Sequence, residues 1–449
     1  MAAALMLILL AVIVAVLGAE ALRNQRETDP SVAGPIDLTL YRFFGGCSDE
    51  YAHVTDVALA VGECGVIQVL TNRFNAEHDG AIVVRTQTAE WSGYYDRLSA
   101  AYAARRPPDI AVMNGSVLPG FVSHRLVRPL HEALLEAGVA LEDVIESARA
   151  GVTFNSDMYG LPYDLHGLLW HVNLDLFAEA GLMDKRGPVL PSSPEELLEQ
   201  ARAVRATTGK RYMAIPSQTD PMPTWMFETW VWQQEAELIS EDGRTATIER
   251  GEARRALDLL ALLYERGVAH AGQDYAGAEQ AFLNGEAAVL VNGTWVVDSY
   301  YAQTARPQTA LRRYAPRTVP RLFYTEAAWT DSHVWVLPRH ERRDARREQA
   351  AVRFLAYLFE HSDAWAKTGH LPARRSVLQS AEFARLAGRE GYLSTASVAR
   401  ALPKVERHRA VQDALAQQVN ATWLLSLPPG DALRRAQEDV QRILRTGYR

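Results

Sequence analysis

The chain has 449 residues, enough for two or three domains and a sizeable core. Hydrophobic residues make up 48% and charged residues 22%, ordinary globular usage that excludes a disordered or fibrous protein. A formal charge of −7 repels phosphate backbones and argues against dedicated nucleic-acid binding; two cysteines exclude a disulfide-stapled scaffold and a zinc ribbon.

The first segment stands apart. Ala2–Ala19 is an uncharged apolar run, followed by Glu20, Arg23 and Arg26. It predicts a signal peptide or membrane anchor over 1–28, hence export to the periplasm or the outer face of the cytoplasmic membrane. Ala19-Glu20-Ala21 has the small-x-small form of a cleavage site. No Lys or Arg precedes the run, and no cysteine near its end offers a lipid anchor; the first is Cys47. Residues 29–36 read as a linker.

Beyond it, Asp37–Phe44 predicts a strand, Val66–Asn75 a helix, Ala81–Gln87 a second strand and Tyr95–Ala104 a second helix. Pro107-Pro108 ends that helix before a short buried strand, Asp109–Met113. Tyr159–Pro162 and Leu168–Val172 read as strands around a bend. Ser193-Pro194-Glu195-Glu196 is a helix start, with Ser193 as N-cap, Pro194 at N1 and Glu196 closing a capping box. Helices are expected over Arg250–Gly267, Ala278–Leu283, Gln349–Glu360 and Ala432–Leu444, and strands over Ala287–Val291 and His333–Leu337. This alternation predicts an α/β fold with mainly parallel sheets.

Catalytic signatures are missing: no G-x-S-x-G elbow, no Walker loop and no G-x-G-x-x-G. The twelve histidines are scattered; only His333 and His340 sit close together in a strand region. Aromatic residues are prominent instead, with ten Trp and 17 Tyr placed largely near strand ends and bends. Indole faces stack on the C–H faces of sugar rings while carboxylates and amides pair with hydroxyls. Loops at the carboxyl ends of parallel strands are where such folds bind ligands.

Five ordered segments carry a resemblance: RRPPDIAVMN at 105–114, YGLPYD at 159–164 with LLWHVN and DLF after it, AFLNGEAA at 281–288, NGTW at 292–295, and GHLPAR at 369–374. Together with the opening strand they resemble the extracellular solute-binding proteins of ABC sugar importers, of the maltodextrin/trehalose-binding type, over about residues 37–449. The resemblance implies the two-lobed periplasmic-binding-protein fold of type II. Lobe one would comprise 37–162 and 333–380, and lobe two 163–332 with C-terminal helices over 381–449. It implies a carbohydrate ligand, a di- or oligosaccharide favoured, held in the interlobe cleft and passed to ABC permease subunits by a monomer that needs no cofactor, metal or catalysis.

Carried over onto this chain, the resemblance implies ligand contacts from Phe44 and Gly45 after strand one, Glu90 and Trp91 after strand two, and Asn114 and Ser116 after strand three. Asp164 and His166 lie at the first crossing, Trp225, Glu228 and Trp230 in lobe two, and Asn292, Gly293, Thr294 and Trp295 after a buried strand. Trp329 and Asp331 approach the second crossing, and Arg374 would donate from lobe one. The bland alternatives are a turn cap for Asp164, a solvated helix residue for Glu228 and a structural ion pair for Arg374. The stretch between the first strand and first helix is longer than the family's common form and is bracketed by Cys47 and Cys64, expected to pair in an oxidising compartment; two separate thiols are the alternative. That loop is expected to roof the cleft. The basic run Arg339–Arg347 reads as a solvated turn and helix start, with a docking patch as the alternative. The rival functions are a binding protein for a phosphorylated polyol such as glycerol 3-phosphate, a secreted carbohydrate-active enzyme, and a membrane-tethered sensor.

Overall fold

The computed structural model describes residues 34–218 and 220–446; the Ala2–Ala19 run and most of the 29–36 linker lie outside the described residues. Among the described residues no helix is long and apolar enough to cross a membrane.

The first lobe begins with β1 (Ile36–Arg42), α1 (Gly62–Glu77), β2 (Ile82–Thr88), α2 (Trp91–Ala103) and β3 (Ile110–Asn114), and this pass ends at β4 (Leu161–Pro162). The second lobe follows with β5 (Asp164–Asn173), α3 (Pro194–Thr208), β6 (Arg211–Ala214), α4 (Met222–Trp232), α5 (Gly251–Glu265), β7 (Ala287–Gly293), α6 (Val297–Thr304), β8 (Tyr314–Thr318) and β9 (Ala328–Asp331). The chain re-enters the first lobe through β10 (His333–Val336) and α7 (Ala345–Glu360). It then runs through β11 (Leu371–Pro372), β12 (Ala399–Arg400), α8 (His408–Leu424) and α9 (Pro429–Thr446).

Sheet one has the order β2-β1-β3-β10-β4, with β1 parallel to β2 and β3, and β10 antiparallel to β3 and β4. Sheet two has the order β6-β7-β5-β9-β12, with β8 and β11 also paired to β5. This second sheet is mixed: β5 runs antiparallel to β7, β8, β9 and β11. The reason is that β5 enters straight from the first lobe, without the helical crossover a parallel neighbour needs. Only Tyr163 separates β4 from β5, and only Ser332 separates β9 from β10, so two crossings lie side by side. The third is the segment around β11, where Leu371 pairs with Leu165 while Ala373 sits in the first lobe's core.

Each lobe closes its own core. Leu38, Leu40, Val66, Leu70, Ile110, Val112, Val334 and Leu355 belong to one cluster; Trp170, Phe227, Trp230, Leu260, Val289 and Val440 belong to the other. β7, AAVLVNG, is buried throughout because it lies between β6 and β5, which is why it reads as a continuous apolar run. At α3, the Ser193 hydroxyl accepts the Glu196 N–H at 3.2 Å and Pro194 stands in the first turn. The Glu196 carboxylate, however, accepts from the N–H and hydroxyl of Ser192, one residue earlier than a closed capping box. Asp344 caps α7, and Arg347 donates twice to Asp109 while Arg343 pairs with Glu348, so the basic run around α7 is the solvated helix start.

Cys47 and Cys64 form a disulfide across a separation of 17 residues. Beneath it Arg42 is fully buried, donating to the Gly45 carbonyl at 2.8 Å and to Gln68 at 3.2 Å. Burial lowers its pKa to about 10 against the opposing charge of Glu63. The loop closed by the bridge is fastened to α1, where the Asn72 amide donates to the carbonyls of Tyr51 and Val54. Where that loop runs into α1 it meets the other lobe: the Gly62 N–H donates to Asp298 of α6 at 2.8 Å.

Candidate ligand-binding cleft

The lobes face each other across the crossings, and three indoles of lobe two gather there. Trp225 of α4 stacks on Trp329 of β9 with centroids 3.8 Å apart and planes 11° apart; Trp295 stands edge-on to Trp225 at 6.5 Å. The sequence Asn292-Gly293-Thr294-Trp295 builds this platform locally. The Trp295 ring folds back over Gly293, where a Cβ would come within 1.9 Å of it, so no other residue fits that position. Asn292 donates to Tyr275 and Tyr300, and the Tyr275 hydroxyl in turn accepts from Trp295 Nε1 at 3.1 Å.

Polar groups from the first lobe and the crossings border the indoles. His166 lies 6.0 Å from Trp295 and 6.1 Å from Trp329 by ring centroids. Its Nε2 is 3.5 Å from the Asn114 amide, whose backbone N–H and side-chain oxygen both bond to the Tyr95 hydroxyl. Ser116 donates its hydroxyl to Asp331 at 2.6 Å and its N–H to the same carboxylate at 3.1 Å. Burial lowers the pKa of His408, against the opposing charge of Asp331. Across the opening, Arg409 lies 5.0 Å over the Tyr95 ring and pairs with Asp96.

The structure therefore brings His166, Asn114, Ser116, Trp225, Trp295, Trp329 and Asp331 together. Glu90 and Trp91 stand exposed at the start of α2, the indole 45% accessible. Several other expected contacts are placed elsewhere. Arg374 takes its bland alternative: its guanidinium donates to Asp143 at 2.7 Å and to the Glu360 carbonyl, on the first lobe. Trp230 is wholly buried in the lobe-two core. Glu228 is equally buried, accepting from Gln412 at 2.6 Å, and burial pushes its carboxyl up to about 8 against that bond. Phe44 is packed among His333, Trp335 and Trp365, and Gly45 lies beside the disulfide. Asn292 and Thr294 are buried and bonded within the protein.

Asp164 is no turn cap. It is fully buried and accepts from His333 twice, from His166 and from Trp365 Nε1. Burial alone would push its carboxyl up; His333, His370 and His166 outweigh that and hold it well below the usual range. Sequence reasoning noted His333 for its place near His340 but assigned neither it nor His370, Glu63, Tyr95 or Tyr275 to the site. The GHLPAR segment contained His370, but nothing local marks a histidine whose partners Thr294 and Glu63 lie 76 and 307 residues away.

Residues 70–390 match the family model described as bacterial extracellular solute-binding protein, well over half of the chain. The chain belongs to that family. This solute-binding protein is 21% identical to the diacetylchitobiose binding protein DasA of Streptomyces coelicolor over 160 residues, 36% of this chain; the match spans about a third (35%) of that relative's length. Among solved structures, the GacH receptor of Streptomyces glaucescens, determined unliganded and with acarbose, superposes with a TM-score of 0.78 at 17% identity, covering 92% of this chain and 99% of that one. UgpB from Mycobacterium tuberculosis, in complex with glycerophosphocholine, gives 0.74 at 18% identity over 92% and 99%. At these identities the superpositions establish the shared two-lobed fold.

Proposed function

We propose that this solute-binding protein is the substrate-binding component of an ABC importer, exported to the periplasm or the outer face of the cytoplasmic membrane, and that it captures a di- or oligosaccharide between its lobes. The observation that carries the reading is the Trp225–Trp329 stack with Trp295 beside it, bordered by Asp331, Ser116 and Asn114. Flat apolar faces next to fixed hydroxyl-bonding groups are what a sugar ring needs. The proposed contacts are those residues with His166, and Glu90 and Trp91 where a longer ligand extends.

A phosphorylated polyol fits less well. It calls for cationic donors, yet Arg374 is engaged by Asp143 and Arg409 by Asp96, while Asp331 contributes negative charge. The ligand would bind the closed arrangement preferentially, and membrane permease subunits would recognise the surface that closure forms. No bond in the ligand needs to break.

Thermal unfolding against mono-, di- and trisaccharides, polyols and glycerol phosphates tests this. A ligand at about 1,000 times its Kd adds roughly 4 kcal/mol to the folded state, so one sugar class should raise the midpoint clearly and be recovered intact. A response confined to phosphate esters, no response at all, or a cleaved sugar would each defeat the proposal.

A further inference from the structure

Below the indole platform lies a cluster that the sugar proposal touches only at His166, whose Nε2 faces Asn114 while Nδ1 faces Asp164. Asp164, His166, His333 and His370 each present one donor atom, and those four atoms all lie within 4.8 Å of one another. The four side chains are buried, with Asp164 and His370 fully inaccessible. They arrive from all three crossings: Asp164 and His166 from the start of β5, His333 from the start of β10, and His370 from the residue before β11.

The donors are aimed at one another. The Nδ1 atoms of His166, His333 and His370 lie 3.2, 2.8 and 3.8 Å from the Asp164 carboxylate oxygens. For His370 the outer nitrogen is committed: Nε2 is 2.8 Å from Glu63, while the Thr294 hydroxyl lies 3.1 Å from Nδ1. With Nε2 donating to Glu63, Nδ1 carries the lone pair and accepts from the Thr294 hydroxyl, 3.8 Å from Asp164, and this is the tautomer a metal ligand requires. Trp365 fixes the carboxylate from outside, donating Nε1 to Asp164 at 2.7 Å.

We propose that these four side chains form a binding site for a divalent transition metal of the zinc type. Three imidazoles and one carboxylate are the borderline nitrogen and oxygen donors such ions prefer, and four protein donors make a closed, structural site. Two positive charges on the ion meet the carboxylate of Asp164 and, through His370, that of Glu63, which matters where the four side chains are buried. The outer bonds from His370 to Glu63 and from Trp365 to Asp164 are the supporting interactions that orient metal ligands and sharpen affinity. On binding, the hydrogen bonds that His166 and His333 now make to Asp164, and that the Thr294 hydroxyl makes to His370 Nδ1, give way to bonds to the ion. Because the donors span every crossing, the ion would tie the three hinge segments to one point.

The test is a calorimetric titration of zinc chloride into protein stripped with a chelator, in the absence of sugar, so its failure leaves the carbohydrate proposal standing. The expected result is one equivalent bound, with uptake lost in His370→Gln and affinity reduced about 10- to 100-fold in Glu63→Gln. Cobalt(II) bound to the unmodified protein should show the strong visible bands of a four-coordinate ion, a readout that holds even if His370→Gln fails to fold. No stoichiometric zinc uptake, uptake unchanged in Glu63→Gln and His370→Gln, or the weak cobalt spectrum of a six-coordinate ion would each overturn the proposal.

Discussion

Glu228 shows how burial converts a solvent-type residue into a stability term. Its carboxyl sits at about 8 in the folded state, raised by burial, against an ordinary value of 4.5. Between those values the folded protein keeps a proton that the unfolded chain has released, so stability is lost as pH rises through that window and is level outside it. Glu228→Gln removes the penalty. Chemical denaturation should show the variant more stable than the parent by on the order of a few kcal/mol at pH 8.5, and nearly equal to it at pH 4.5. Trp225 tests the other residue-scale claim. It is half-buried, with one face on Trp329, and Trp225→Ala should weaken sugar binding by at least tenfold, about 1.4 kcal/mol, in a calorimetric titration. An unchanged Kd would remove this indole from the site.

At the scale of elements, the disulfide has a measurable role. Closing a loop of about this length is worth roughly 3 kcal/mol in the chain-entropy model. Replacing Cys47 and Cys64 together by serine should lower first-lobe stability by about that much in denaturant, and reductant should then have no further effect on the variant. Elements with strong local signals were legible: Ser193 and Pro194 announce α3, and the unbroken apolar run announces β7. Only Leu168–Val172 of β5 was read as strand because His166 and Gly167 interrupt its pattern, whereas the strand starts at Asp164, buried at a crossing. β8 went unseen since Pro316 and Arg317 look like a breaker and a surface residue. Proline is tolerated there because β8 pairs on one side only, with β5.

For the whole molecule, closure is the property to probe. Gly120 of the first lobe approaches the Glu406 carbonyl of the second so closely that a Cβ would lie 2.3 Å from that oxygen. Nearby, Lys404 donates to the carbonyls of Ala150 and Thr153, again across the lobes. Gly120→Ala should therefore oppose closure while leaving the separate lobes intact. Small-angle scattering should find that the variant fails to contract on adding a sugar that contracts the parent, with a weakened Kd. Equal contraction would show that this contact does not gate the movement.

Composition, periodicity and a handful of ordered segments were sufficient for the α/β class, the two lobes, the helices and strands with strong local patterns, and the pairing of two cysteines 17 residues apart, because each depends on local spacing or on a pattern the chain carries in order. Which side chains meet depended on the tertiary structure. Ser116 reaches Asp331 across 215 residues and Glu63 reaches His370 across 307, distances over which no periodicity speaks. Whether Trp225 faces the cleft while Trp230 faces the core, and whether Arg374 is a ligand donor or the partner of Asp143, follows from how helices rotate and strands register against neighbours far away in the chain.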